Sequence, residues 1–194
     1  MRIIGITGPT GAGKSTVCQG FAELGYDTVD ADALYHSMLI PPSPCLDALR
    51  GEFGDNILNA DGTLNRNALS ALVFADKSAL ERLNSTVLPI VIEKMRDIIR
   101  AAEEKGAPLL IIDAPTLIES GFDEECDLVI SISAPEDVRI KRIMKRDGID
   151  KDRAEQRVRG QKTDDFYRDA SDAFIYDGGD AALLFKQAKE AIGI

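Results

Sequence analysis

A chain of 194 residues, 44% hydrophobic and 29% charged, has the length for one domain with a sizeable core and the balance of a soluble globular protein. Its formal charge of −10 argues against nucleic-acid binding by diffuse attraction to phosphates, and no apolar run approaches the ~20 residues of a membrane helix. Three scattered cysteines, Cys18, Cys45 and Cys126, in no metal or redox spacing fit a reduced cytosolic setting, and no signal-peptide pattern precedes the first strand-like residues.

Residues 2–7, Arg-Ile-Ile-Gly-Ile-Thr, read as a buried strand, followed by a glycine-rich turn and a helix over 14–24 that Gly25 stops. A short strand at 27–30 leads into a helical stretch over 31–38, and Pro41-Pro42-Ser43-Pro44 is a break. From 46 to 104 the apolar periodicity is helical, with a turn at Asn59-Ala60-Asp61-Gly62 and a stop at Gly106 and Pro108. Residues 109–113 and 128–133 are apolar and β-branched enough for strands. Pro135 is expected in the first turn of the next helix, where its missing N–H costs nothing. A last strand at 173–176 precedes a helix over 180–192. Strands and helices that alternate at both ends of a helical block predict an α/β fold, a mostly parallel five-stranded sheet with helices on both faces.

The charge is unevenly spread. Residues 139–168 hold 11 Lys/Arg against 6 Asp/Glu, and the remainder 12 against 27. An acidic protein that concentrates positive charge in one stretch is suited to a compact anion there, although a solvated helix pair with internal ion pairs gives the same count. Arg139, Arg142 and Arg146 recur at helical spacing and share a face, and Arg153 and Arg157 do likewise on the next helix. Guanidinium groups closing over a nucleotide neutralise charge that moves between phosphates, whereas the bland alternative pairs them with Asp147, Asp150 and Glu155.

Gly8-Pro9-Thr10-Gly11-Ala12-Gly13-Lys14-Ser15 matches G-x-x-x-x-G-K-[ST] in full, between a strand and a helix. Such a P-loop turns successive backbone N–H groups of Gly11, Ala12 and Gly13 toward one anion at a helix N-terminus. Lys14 supplies charge for the β- and γ-phosphates of ATP, Ser15 a hydroxyl ligand for Mg²⁺, and Thr16 a further hydroxyl. Asp30 and Asp32 flank the end of the second strand, where ligands of open α/β sheets bind. One is expected to cap the next helix and the other, Asp32 for preference, to accept a hydroxyl proton. Asp113 ends an apolar strand in the Walker B manner and is the second candidate Mg²⁺ ligand. His36 has no second histidine to make a metal pair or relay, and reads as surface.

The ordered motif series resembles the dephospho-CoA kinase family over nearly the whole chain. It comprises Gly5 to Gly8 running into Gly11 to Thr16, Leu24-Gly25, Val29 to Asp32, Phe53-Gly54, Asp61 to Leu64 with Arg66, Val73-Phe74 and Leu83-Asn84. It continues through Pro115, Leu117 and Glu119, then Arg142 and Arg146 followed by Asp147, Gln161 and Asp172. The resemblance implies a P-loop nucleoside triphosphate hydrolase fold and ATP-dependent phosphorylation of the ribose 3′-hydroxyl of dephospho-CoA. It implies Asp32 as general base with Lys14 and Arg142 as catalytic partners, and ATP contacts from the P-loop, Arg142 and Arg146. Acceptor contacts fall to Asp32, Arg66, Pro115, Glu119 and Gln161. It also implies a core over about 1–32, 107–138 and 161–194, a helical acceptor-binding insertion over about 33–106, and a lid over about 139–160. The partner is then a small molecule, with no nucleic acid and no membrane, and the protein a monomer or weak homo-oligomer.

Three positions depart from the family pattern. Leu88 precedes Pro89 where histidine is usual, Thr116 follows Pro115 where leucine is usual, and Asp177 stands where asparagine is expected. The first two bear on the acceptor side and the third on the adenine side. Two rival readings are another small-molecule or nucleotide kinase on the same core, and a nucleotide-dependent switch. Against the switch, its [NT]-K-x-D signature is approached only by Gln161-Lys162-Thr163-Asp164, after basic helix rather than strand.

Overall fold

Three strands, β1 (Arg2–Thr7), β3 (Leu109–Asp113) and β4 (Leu128–Ser133), carry near-continuous Ile, Leu and Val and are buried along most of their length. Strands covered on both faces need such runs, and they form the middle of a five-stranded sheet in the order β2-β3-β1-β4-β5. The two edge strands, β2 (Asp27–Asp30) and β5 (Ala173–Tyr176), are shorter and more exposed. Every pairing is parallel. The computed structural model describes the backbone of residues 1–194 and the side chains of all but residues 74, 75 and 77; Phe74 of the motif series therefore lies outside the described residues.

The chain divides into two compact units, Met1–Asp30 with Ala102–Ile194, and Ala31–Ala101. The first holds the sheet. Its core packs Ile4, Ile6, Ile111, Ile130 and Ile132 against Val17 and Phe21 of α1 (Lys14–Glu23) and Leu184, Ala188 and Ile192 of α9 (Ala181–Ile192). Phe21 meets Phe185 edge-on at 5.1 Å between ring centroids, which locks α1 to α9. The helices α6 (Glu136–Asp147) and α7 (Lys151–Arg159) pack on one another through Ile140, Ile143, Ala154 and Val158. Gly148 in the left-handed region ends α6, and the Asp150 side chain caps α7 by accepting from the Arg153 amide. The short α8 (Asp164–Asp169) is capped by Thr163.

The second unit is helical. It contains α2 (Ala31–Ser37), α3 (Pro44–Phe53), α4 (Arg66–Ala75) and most of α5 (Lys77–Glu104). Leu39, Cys45, Leu49, Ile57, Leu69 and Val87 form its core. The helical block expected over 46–104 is thus three helices and a 3-10 turn at Asp55–Ile57. Local capping makes the breaks. Ser43 accepts from the Leu46 amide with Pro44 at the first helical position, and Asn65 accepts from the Ala68 amide. Between them Asp61 accepts from both the amide and the hydroxyl of Thr63, which staples the Asp61-Gly62-Thr63-Leu64 motif into a turn. Pro89 sits inside α5 without ending it, and Pro135 is the N-cap residue of α6 rather than a member of its first turn. Among the described residues no helix is long and apolar enough to cross a membrane.

Candidate active site

The loop between β1 and α1 is built on glycines that cannot be replaced. Gly8 has φ 130°, and a Cβ there would lie 2.0 Å from the Ile132 carbonyl oxygen of β4. Gly13, with φ 109°, is the left-handed N-cap of α1, where a Cβ would meet Leu184 and the Asp177 carboxylate at 2.9 and 3.1 Å. The loop thereby holds its amides at the head of a helix, a site for a negatively charged ligand. The Lys14 ammonium donates to the carbonyls of Gly8 and Pro9 at 2.8 and 3.2 Å, so it arches over the loop it belongs to. Ser15 and Thr16 are exposed residues in the first turn of α1.

Asp113 stands at the C-terminal end of β3, in register with Ile6 of β1 on one side and Asp30 of β2 on the other. Two carboxylate-bearing residues therefore sit side by side at the strand ends, two residue levels below the start of the P-loop at Gly8. The thiol of Cys18, one turn into α1, is hydrogen-bonded to Asp113; burial first, and then this carboxylate, push its pKa far up. A neutral thiol against Asp113 supplies a proton donor and adds no negative charge.

The basic stretch divides between the P-loop and nearby acids, with Arg146 serving both, since it also pairs with Asp147 at 2.7 Å. From α6, the Arg139 Nε donates to the Thr10 carbonyl at 3.0 Å and its Nη2 to Gln161 Oε1 at 2.6 Å. Arg142 Nη1 donates to the Gly11 carbonyl at 3.0 Å, and Arg146 Nη2 to the Thr10 hydroxyl at 3.2 Å. Gln161 Oε1 also accepts from the Thr10 amide at 3.1 Å. From α7, by contrast, Arg157 pairs with Asp147, Arg153 lies 3.8 Å from Asp150, and Arg159 donates to Glu155 at 3.1 Å. Of the two readings open for Arg153 and Arg157, pairing with neighbouring acids is the one the structure shows. The α7 arginines are taken by acids of the α6–α7 pair because the buried face of α7 is Ala154 and Val158, which leaves the guanidinium groups outward.

Of the residues singled out in the sequence, the first unit holds Gly11, Ala12, Gly13, Lys14, Ser15, Thr16, Asp113, Pro115, Glu119, Arg142, Arg146 and Gln161. The Pro115 carbonyl accepts from the Thr7 hydroxyl at 3.3 Å. Glu119 lies near Tyr167, whose hydroxyl is pushed up to about 12 by burial and then by that carboxylate. Asp32, in the first turn of α2, and Arg66, which opens α4, belong to the helical unit. Arg66 there acts electrostatically on Tyr35, whose pKa burial raises.

Sequence reasoning missed the part played by Thr10, whose amide, carbonyl and hydroxyl each serve as an anchor point. It also missed the buried partner of Arg142, Asp177, which lies 2.7 Å from Nη2. A signal for Asp177 was present, since it follows an apolar strand as Asp113 ends one, but nothing in the sequence paired it with an arginine 35 positions away.

A parallel sheet with order β2-β3-β1-β4-β5, a P-loop on its first strand and arginines laid across that loop define a P-loop kinase fold and site. The model of the dephospho-CoA kinase family matches residues 2–182. A dephospho-CoA kinase of Corynebacterium jeikeium is 36% identical over 187 residues, 96% of each chain. A Thermus thermophilus protein of solved structure superposes with TM-score 0.84 at 29% identity, covering 100% of this chain and 98% of that one. A Campylobacter jejuni dephospho-CoA kinase shares the fold at TM-score 0.72 and 24% identity, covering 99% and 96%. The chain belongs to the dephospho-CoA kinase family.

Proposed function

We propose that this chain transfers the terminal phosphoryl group of ATP to the ribose 3′-hydroxyl of dephospho-CoA, giving coenzyme A and ADP. The observation that carries the phosphoryl-transfer half is the P-loop with its overlying α6 arginines, since four side chains, Arg139, Arg142, Arg146 and Gln161, converge on Thr10 and Gly11 alone. The acceptor half rests on membership of the family over residues 2–182.

The chemistry asks little covalent work of the protein. Phosphoryl transfer is catalysed chiefly by positioning and charge stabilisation. In this reading the amides of Gly11, Ala12 and Gly13 cradle the β-phosphate at the head of α1, where the helix dipole favours an anion. Lys14 moves from the carbonyls of Gly8 and Pro9 to the β- and γ-phosphates, which offer stronger, charged acceptors. Thr16 adds a hydroxyl, and Arg142 and Arg146, already lying on the loop, neutralise the charge that builds up on the bridging oxygen. Asp32, two residues beyond β2, takes the proton of the attacking 3′-hydroxyl.

The oxygen donors suit Mg²⁺. A hard cation prefers a hydroxyl and a carboxylate with phosphate oxygens, and the hydroxyl of exposed Ser15 with the carboxylate of half-buried Asp113 supplies the protein's share. When bound, the ion screens the negative charge of the triphosphate. Asp113 is oriented for that role by the Cys18 thiol. On the acceptor side Arg66, Pro115 and Glu119 take the substrate, while Gln161 acts on the P-loop through Thr10. Three free thiols, two of them buried, fit a reducing compartment.

The test is an acceptor screen followed by ADP release with ATP and magnesium. Dephospho-CoA should be turned over and coenzyme A appear by mass spectrometry. Turnover of another alcohol, with dephospho-CoA inert, would overturn the acceptor assignment and leave the phosphate chemistry standing.

A further inference from the structure

The ion pair between Arg142 and Asp177 is asymmetric. The carboxylate is 2% exposed, whereas the arginine side chain is 36% exposed. Asp177 is held from three directions. Its amide donates to the Ser133 carbonyl at the end of β4 at 2.7 Å, and its Oδ1 accepts from the Gly179 amide at 2.7 Å. Its Oδ2 accepts from Arg142 Nη2 at 2.7 Å. The same Oδ2 lies against the P-loop, 3.1 Å from where a Gly13 Cβ would stand, with Arg142 Nη1 at 3.7 Å from that point. A buried carboxylate with both oxygens engaged is thus wedged between the loop after β5, the head of α1 and the arginine of α6.

A guanidinium has five N–H donors in a fixed plane. Arg142 uses one on the Gly11 carbonyl and one on Asp177, two anchors on different elements, so its plane is set before any ligand arrives. Three N–H donors remain on a side chain that is 36% exposed. We infer that Asp177 is the positioning residue of Arg142: it orients the guanidinium over the P-loop for the transferring phosphate, and does not itself read the base of the nucleotide. The departure from the family pattern at this position then belongs to the phosphate side, because the carboxylate is 2% exposed, with each oxygen already turned to a partner within the fold and little surface left for a base edge. This inference rests on the assignment of Arg142 to the phosphates made above.

The physical consequence is specific. An asparagine is the same shape, yet its single carbonyl oxygen can accept from Gly179 or from Arg142 and not from both, and its amide would point N–H groups at one of them. Arg142 then keeps one anchor and gains freedom about its terminal bonds. Small displacements of a charge-stabilising group cost catalysis far more than binding.

The test is a double-mutant cycle at Arg142 and Asp177, measured as kcat and as KM for ATP with dephospho-CoA saturating, each variant checked by circular dichroism and thermal melting. Arg142→Ala should lower kcat about a hundredfold. Asp177→Asn should lower kcat about tenfold with KM for ATP within about threefold, and the ratio of activity with ATP to that with GTP should stay within about twofold of the parent. In the Arg142→Ala background, adding Asp177→Asn should change kcat less than about twofold, because the residue it acts through is gone. A tenfold further loss in that background would overturn the inference, as would a folded Asp177→Asn protein with the parent's kcat, or one whose preference between ATP and GTP has shifted. Should Asp177→Asn not fold, or Arg142→Ala not fold because it leaves the buried carboxylate without its cation, Arg142→Gln, which keeps a donor for Asp177, is compared with Arg142→Gln carrying Asp177→Asn, and a tenfold further loss in that double variant overturns the inference. Full activity in Arg142→Ala would instead overturn the phosphate role of Arg142, a distinguishable result.

Discussion

Helices α6 and α7 carry three arginines each, and only those of α6 reach the P-loop. Those of α7 are spent on Asp147, Asp150 and Glu155. The two helices bury comparable apolar faces against each other, Ile140 and Ile143 from one and Ala154 and Val158 from the other. What differs is what lies beyond that shared face. Arg139, Arg142 and Arg146 emerge beside Thr10 and Gly11, whose carbonyls and hydroxyl accept from them, and Arg146 pairs with Asp147 as well, whereas Arg153, Arg157 and Arg159 find only acids of the same helix pair among the contacts described. Charge density along a sequence therefore marks a region, and the direction of each side chain decides whether a cation serves the site or the scaffold.

The contrast needs a baseline for lost chemistry. Asp32→Asn removes the assigned proton acceptor and leaves the P-loop intact, so kcat should fall about a thousandfold while ATP affinity, measured with a fluorescent analogue, holds. Unchanged turnover would transfer the base role to Asp30 or Asp113. Next in size, Arg146→Ala should cost about tenfold in kcat/KM for ATP, which places α6 on the nucleotide side. Arg139→Ala sharpens the comparison differently. The side chain is 7% exposed and bonded to the Thr10 carbonyl and Gln161, so its loss should destabilise the fold by about 2 kcal/mol in urea titration.

Arg157→Ala is the matching change in α7. Its side chain is half exposed and pairs with Asp147, and kcat should stay within about twofold of the parent. A loss as large as that of Arg146→Ala would erase the distinction between the helices. The smallest effect is a pH dependence at the same pair. Arg146 first, and Arg157 after it, hold the Asp147 carboxyl below its ordinary value near 3.8. A depressed folded-state value means the contribution to stability is fully present above about 3.8 and fades as pH falls through the lower folded value. Acid unfolding followed by circular dichroism should therefore show Asp147→Asn less stable than the parent at neutral pH, with the gap closing below pH 3.8.

Much of the fold was legible. The three central strands begin and end where the apolar, β-branched runs do, because a strand covered on both faces has no polar positions to blur its limits. The glycines of the P-loop announced a backbone that only glycine adopts, and the structure places β-carbon clashes at Gly8 and Gly13. The helical block was less legible. Its apolar period runs on through 46–104, while Asn65 and the Asp61-Thr63 staple divide it by hydrogen bonds that periodicity does not register. Pro89, normally a breaker, sits within α5, so that signal misleads in the other direction.

By itself, then, the sequence determined the strand-loop-helix that holds a triphosphate and the alternation that makes the sheet parallel. Both are local matters, written in the backbone freedom of Gly8 and Gly13 and in the burial of residues 2–7 and 109–113. Only the tertiary structure decided which arginines lie on that loop, that Gln161 serves it through Thr10, and that Asp177 answers Arg142. Those pairings join positions tens to more than a hundred residues apart. An ion pair is set by distance and burial in space, which spacing along the chain does not encode.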